Sequence, residues 1–314
     1  MRSHVGRAVA AVTIVGAVIS GCGGPGAPGT AAVIGDRTIP LGQVETEVEG
    51  VLGDPGAVEL AQTRDEKPID MARDVVSSRV TEGVVVPAAA AAGVVIPQAQ
   101  IDSEIDSTMR AALGGVSPAD QQAIAAKAEA FRGALRRAVP AQLTAQELGR
   151  KVAAHLAVTV DEVSVRDRAT AEQLATALAT GGPAAEAALS GPGVRKGVTY
   201  RATPDQAHPD ARVDPDRAGT VLFGVPQGGV VAYQPSQANA TWSVARVVAR
   251  DVAAPGKDDD VAGLSQQQLL LIGLRAAQAT TGTVTVNPRY GEWDPVRFGV
   301  VAAGDSAGRV LLPA

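Results

Sequence analysis

The stretch Ala31–Leu52, AAVIGDRTIPLGQVETEVEGVL, constrains this chain more than any other. It reads as a short strand on Ala32-Val33-Ile34, a tight turn on Gly35-Asp36, a second strand on Thr38-Ile39, and then a helix. Val44, Val48, Val51 and Leu52 recur every three or four residues, so the helix carries one apolar stripe. A two-stranded ribbon and one amphipathic helix cannot bury their own apolar faces, because a lone hairpin is marginal in water. A later segment must return to cover them. The best candidate is Thr283–Asp294, where Val284 and Val286 alternate as on a half-buried strand. The expectation is that the two ends of the chain pair and enclose what lies between.

These same residues carry a family resemblance. Val33-Ile-Gly-Asp-Arg-Thr-Ile-Pro-Leu-Gly-Gln-Val44 followed by a helix resembles the opening of the SurA/PrsA family of extracytoplasmic foldases. The closing Val286-Asn-Pro-Arg-Tyr-Gly-Glu-Trp-Asp294 resembles the end of actinobacterial members. The resemblance implies a mainly helical chaperone domain formed by both chain ends, surrounding a parvulin-type prolyl isomerase domain. The fold class expected is therefore α+β. Residues 31–154 completed by 262–294 would form the helical domain, 155–252 the parvulin-like insert, and 295–314 a peripheral tail.

Bulk composition agrees with helices and small sheets. The 314 residues are 46% hydrophobic but only 3% aromatic, so the core must be mainly Val, Ala and Leu. A net charge of −5 with no basic cluster argues against nucleic acid as a partner. The single cysteine allows neither an intrachain disulfide nor a multi-cysteine metal site.

That cysteine has a specific context. Arg2 and Arg7 precede an apolar run from Ala8 to Ile19, which is short of the ~20 residues that span a bilayer. Ile19-Ser20-Gly21-Cys22 then resembles a bacterial lipobox, which implies that residues 1–22 include a signal peptide and that Cys22 is lipidated. Acyl chains contributing ~0.8 kcal/mol per buried methylene would hold the protein on the extracytoplasmic face of a membrane. Residues 23–30 read as a flexible, uncharged tether.

The body reads as a series of helices. One spans Lys67 to about Val86, where Pro87 should end or kink it, with a second short helix over Ala88–Gly93. The next begins after Pro97 and stops at Gly114-Gly115. Another is capped by Ser117, with Asp120 in its first turn, and is interrupted at Pro140. Leu264–Ala279 is apolar nearly all round and is expected to dock on Val44–Leu52. Such stripes have two readings: all buried, or one of them lining an open groove for unfolded chains, as the resemblance implies.

Residues 155–252 run strand, two helices, strand, Pro/Asp-rich loop, short helix and two closing strands. That is the order of a parvulin domain, and Phe223-Gly-Val-Pro-Gln-Gly-Gly-Val-Val-Ala-Tyr233 with Trp242-Ser-Val-Ala-Arg-Val247 is similar to its C-terminal part. The family's catalytic residues do not carry over. Its first-strand histidine falls on Glu162-Val163-Ser164-Val165, its Asp or Cys near the second strand falls on Lys196–Tyr200, and its last-strand histidine falls on Ser243. Tyr200, Phe223, Val225 and Trp242 could form an apolar peptide-binding pocket or simply be core. Isomerisation also needs polar groups that favour a twisted amide over a ~18–20 kcal/mol barrier, and none is evident.

No HExxH, Gly-x-Ser-x-Gly or P-loop pattern occurs. His208, in a loop, and the Asp258-Asp259-Asp260 run read as solvated residues, and no metal or cofactor is expected. The reading is a membrane-anchored lipoprotein that binds unfolded or extended envelope polypeptides without catalysis. An active prolyl isomerase and a structural lipoprotein with one folded partner are the alternatives.

Overall fold

The computed structural model describes residues 29–204, 209–235 and 241–312. Cys22, the signal segment, His208 and most of the tether lie outside them. The first part of the chain runs β1 (Thr30–Ile34), β2 (Arg37–Pro40), α1 (Leu41–Leu52), α2 (Pro55–Gln62), α3 (Pro68–Ala91), α4 (Gln98–Leu113), α5 (Pro118–Ala123) and α6 (Ala125–Val152). The middle runs β3 (Ala157–Val165), α7 (Arg168–Thr180), α8 (Gly182–Ala188), β4 (Arg195–Arg201), β5 (Arg212–Val213), α9 (Pro215–Ala218), β6 (Val230–Tyr233) and β7 (Trp242–Asp251). The chain closes with α10 (Gln266–Thr281), β8 (Val284–Val286), β9 (Glu292–Asp294), β10 (Gly299–Val301) and β11 (Gly308–Leu311). The protein is α+β.

The two ends meet. β1 sits between β2 and β8, with Ala32 opposite Val286 and Val33 opposite Thr285. Asn287 closes the join, donating from its side chain to the Thr30 carbonyl at 2.9 Å. Gly35 is required in the hairpin turn. It has φ +58°, and a Cβ there would stand 2.8 Å from the Thr281 carbonyl oxygen. Val44, Val76, Val80 and Val84 fill the core under this small sheet.

Two prolines behave differently from the sequence expectation. α3 runs unbroken through Pro87, and α6 through Pro140. A helix-interior proline costs ~3 kcal/mol. Around Pro87 the helix buries Val80, Val84, Val85 and Ala89, and each fully buried valine contributes roughly 1.5–3 kcal/mol. Three valines outweigh one proline, so packing carries the helix past a residue that propensity would use to end it. Around Pro140 the same logic applies to Val139, Leu143 and Leu148.

α10 is the central helix. It is capped by Ser265, whose hydroxyl accepts from the Gln268 N–H while the Gln268 side chain accepts from the Ser265 N–H. It packs chiefly on α6 and α3, and on its other side against the 3₁₀ turn Val221–Gly224. α1 instead lies on α3, α2 and the hairpin, so α10 and α1 share a core without α10 docking mainly on α1 as expected. The α6–α10 crossing is close because both helices present glycine. A Cβ on Gly149 would stand 1.9 Å from the Leu269 carbonyl oxygen, and one on Gly273 would stand 1.8 Å from that of Ala145.

The large sheet has six strands in the order β11-β6-β7-β3-β4-β5. Leu156, Val158, Val160, Val247, Leu222 and Phe223 form the core on its α10 side, and α7 and α8 cover the other face. Residues 295–312 are not a peripheral tail. β10 pairs with β9, and β11 is an outer strand of the large sheet, with Val310 opposite Val231. Strands of three and four residues are too short to show a period in sequence. A tertiary anchor holds them: Arg275, buried on α10, donates to the carbonyls of Gly219, Pro295 and Val296.

Candidate functional site

Two places are candidates: the sheet face where the family resemblance would put catalysis, and a groove in the helical body.

On the sheet face, the side-chain alternation of β3 points Val158, Val160 and Glu162 toward the α10-side core. Glu162 is thus a carboxylate only 2% exposed, and burial of an unpaired charge is prohibitive. It is fully paired. Tyr200 Oη donates to Glu162 Oε1 at 2.6 Å, and Arg195 Nη2 lies 2.9 Å from the same oxygen. Arg217 Nη2 binds Glu162 Oε2, and the Arg217 guanidinium lies 4.3 Å from the centre of the Tyr200 ring. Arg217 is presented by α9, whose Asp214 cap accepts the Arg217 N–H at 2.9 Å.

Two tyrosines share this face. Burial, reinforced by the hydrogen bond to Glu162, pushes the Tyr200 phenol above its ordinary value. Burial also pushes Tyr233 up, with Arg217 acting against it. The Tyr233 hydroxyl stands beside Thr220 and Ser243 but makes no hydrogen bond of proper geometry among the described residues. Glu162, Tyr200 and Ser243, at or near the positions the resemblance maps to the isomerase residues, are all buried. Glu162 and Tyr200 are tied into an ion-paired cluster with Arg195 and Arg217, and Ser243 lies beside Tyr233. Sequence reasoning passed over this cluster. The signal was a glutamate in the inward phase of a strand, which demands a cationic partner.

The four pocket candidates do not come together. Tyr200, Phe223 and Val225 lie in the core on the α10 side of the sheet, 2% exposed or less. Trp242 lies on the opposite face against α7, with the Arg168 guanidinium 5.7 Å from its ring centre. Strand alternation separates them: Trp242 pairs with Val165 and Ser243 with Ser164, so the two neighbours face opposite ways. His155 is bonded to the Ala254 carbonyl and to Asp258, each at 3.2 Å, so Asp258 has a structural partner. Among the described residues no group of three His, Cys, Asp or Glu side chains is placed to hold a metal, and no helix is long and apolar enough to cross a membrane.

The groove is of another kind. Its volume is about 430 Å³, and it opens between α2, α3 and α6 with α10 at its base. Val51, Leu60, Ala134, Leu270 and Leu274 line it and stay only half-buried. Its rim is polar, with Arg64, Asp74, Ser78 and Arg137. Asp74 sits at the mouth without an ion-pair or hydrogen-bond partner among the described residues. Partial burial, with Glu66 and Asp70 nearby, raises its carboxyl above the ordinary value. An apolar floor with a mixed polar rim, open to solvent, suits an apolar segment of polypeptide.

No protein-family model matches the chain, and no curated protein matches it either. Among solved structures, the 3.10 Å crystal structure of the foldase protein PrsA from Lactococcus lactis is similar over 82% of this chain and 95% of that one. The identity is 12% and the TM-score 0.25.

Proposed function

We propose that this protein is a chaperone-like binder of unfolded or extended polypeptides that works without prolyl isomerisation. The observation that carries the reading is the open groove. Half-buried Leu60, Leu270 and Leu274 cost ~25 cal/mol per Å² of apolar surface left in water, a cost that a passing apolar segment relieves. The closed Glu162–Arg217–Tyr200 cluster supports the absence of catalysis, since its carboxylate is already ion-paired and its tyrosine phenol is pushed up. The lipobox-like Ile19–Cys22 supports attachment to the extracytoplasmic face of a membrane through lipidated Cys22. Its partners would be unfolded envelope polypeptides and the bilayer, and no nucleic acid.

The test uses the full chain in lipid nanodiscs, mixed at stoichiometric ratio with a chemically unfolded client that aggregates on dilution. Suppressed light scattering is the expected result. Unchanged scattering with several clients would overturn the reading in favour of a scaffold for one folded partner. Acceleration of cis/trans exchange in a proline peptide would overturn the non-catalytic part.

A further inference from the structure

A second groove of about 310 Å³ lies beside the first, and a single side chain, Phe298, lines both. The two follow one seam. On α10, Leu270 and Leu274 line the first groove, and Gln278 and Thr281 line the second, a stripe at i, i+4, i+8 and i+11. On α3, Ser77 and Thr81 line the first and Val84 the second, so the seam crosses from one to the other along both helices in the same chain direction. Phe298 stands between them as a septum. Its backbone is in the left-handed region, φ +57°, which costs a non-glycine residue roughly 1 kcal/mol or more. Its ring meets Trp293 edge-on at 5.2 Å, with the Arg275 guanidinium 5.7 Å from its centre.

The second groove differs from the first in having a strand edge along it. Gly308, Arg309, Val310 and Leu312 of this edge line it. β11 ends the six-stranded sheet, so among the described residues no strand pairs with its outer side; Ser306 Oγ already bonds the N–H and C=O of Gly308, and the open stretch of the edge begins at Val310. An unpaired edge is a row of backbone donors and acceptors that an extended chain can satisfy. Leu270 to Thr281 spans ~17 Å along a helix at 1.5 Å per residue. An extended chain at ~3.3 Å per residue covers that distance with about five residues.

We infer that the polypeptide bound by this protein is held in extended form across both grooves. It would pass Phe298 and pair with the outer edge of β11 from Val310 onward, so that its main chain as well as its apolar side chains is recognised. This inference rests on the proposed binding function and names the form of its substrate: an extended, apolar segment longer than about five residues, not a preformed helix.

The experiment uses the full chain in nanodiscs and fluorescein-labelled decapeptides of alternating Leu and Ser. One version is unmodified and one is N-methylated at every second amide, which deletes strand-pairing donors while leaving the side chains in place. Trp293 lines the second groove, and the Trp242→Phe variant makes it the sole tryptophan. The expected result is at least tenfold weaker binding of the N-methylated peptide by anisotropy. Unlabelled parent peptide should also shift the Trp293 emission. Equal binding of the two peptides, or parent binding that leaves Trp293 emission unmoved, overturns the two-groove inference while the binding function stands. If no decapeptide binds and client scattering is also unsuppressed, both fall together.

Discussion

The groove between α2, α3 and α6 and the sheet face around Glu162 are opposite answers to one problem. Each lies next to α10, and each could have been a site. The groove leaves leucines half-exposed and keeps its charges at the rim, so its floor is free to take an apolar guest. The sheet face has drawn its charges inward and paired them, leaving Glu162 2% exposed between two arginines and a tyrosine. A buried, paired charge holds the fold in register but offers nothing to a ligand, because any guest would first have to break the pairing. The resemblance directed attention to the sheet face, whereas the physical chemistry favours the groove.

Substitutions can break or sharpen that contrast. The largest effect is expected for Glu162→Ala, which leaves half-buried Arg217 without its acid. Unfolding in urea should show a loss of about 3–5 kcal/mol, with the Tyr200 hydroxyl also unpaired. If the loss is within 0.5 kcal/mol, roughly what an ordinary surface change gives, the cluster is not closed and the contrast fails. Next is Arg275→Met. The Gly219 and Val296 carbonyls would lose their donor and Pro295 would keep only Gln278 Nε2 at 3.3 Å, at ~1–3 kcal/mol for each buried group left unsatisfied. Hydrogen exchange should then show β11 opening before the rest of the sheet.

A smaller and more selective effect is expected at the open site. Leu274→Glu puts a charge on the groove floor and should weaken client binding about tenfold, or ~1.4 kcal/mol, while the melting temperature moves little. Isothermal titration with an unfolded client checks the first part and calorimetry the second. Unaltered affinity would remove the groove from the function.

The smallest effect concerns Asp74. Its folded-state carboxyl is raised, so the native protein takes up a proton before the unfolded chain does. The stability this adds is fully present below the ordinary carboxylate value and is lost as pH rises through the folded one. Because the side chain stands at the groove mouth, the gain should stay under ~1 kcal/mol. Asp74→Asn should remove that part of the pH dependence, read as the difference between variant and parent in urea midpoints at pH 3.5 and 7.

Much of the architecture was legible along the chain. The β1–β8 closure followed from Val33 and Val286, each on a segment too small to bury itself. The strand–helix order of residues 155–252 followed from local periods, as did the capped start at Ser117, whereas the Ser265 cap of α10 was not read from the sequence. Local pattern misled where burial outweighed propensity. Pro87 was read as an end or a kink and Pro140 as an interruption, and neither helix ends there, because neighbouring valines and leucines stabilise α3 and α6 by more than one lost hydrogen bond costs. Residues 295–312 were read as a tail because β10 and β11 are shorter than any period.

What the sequence by itself determined is whatever depends on near neighbours: turn glycines, caps, amphipathic stripes and the lipobox-like Ile19–Cys22. What only the tertiary structure decided is which distant groups share a surface. Tyr200 and Trp242 were grouped by chemistry, and the pleat of the sheet sent them to opposite faces. Glu162, Arg195 and Arg217 are spread over 56 positions, and one carboxylate gathers them because a buried charge must be paired. The groove has no signature along the chain. It exists because α2, α3, α6 and α10 meet at angles that leave a gap no side chain fills.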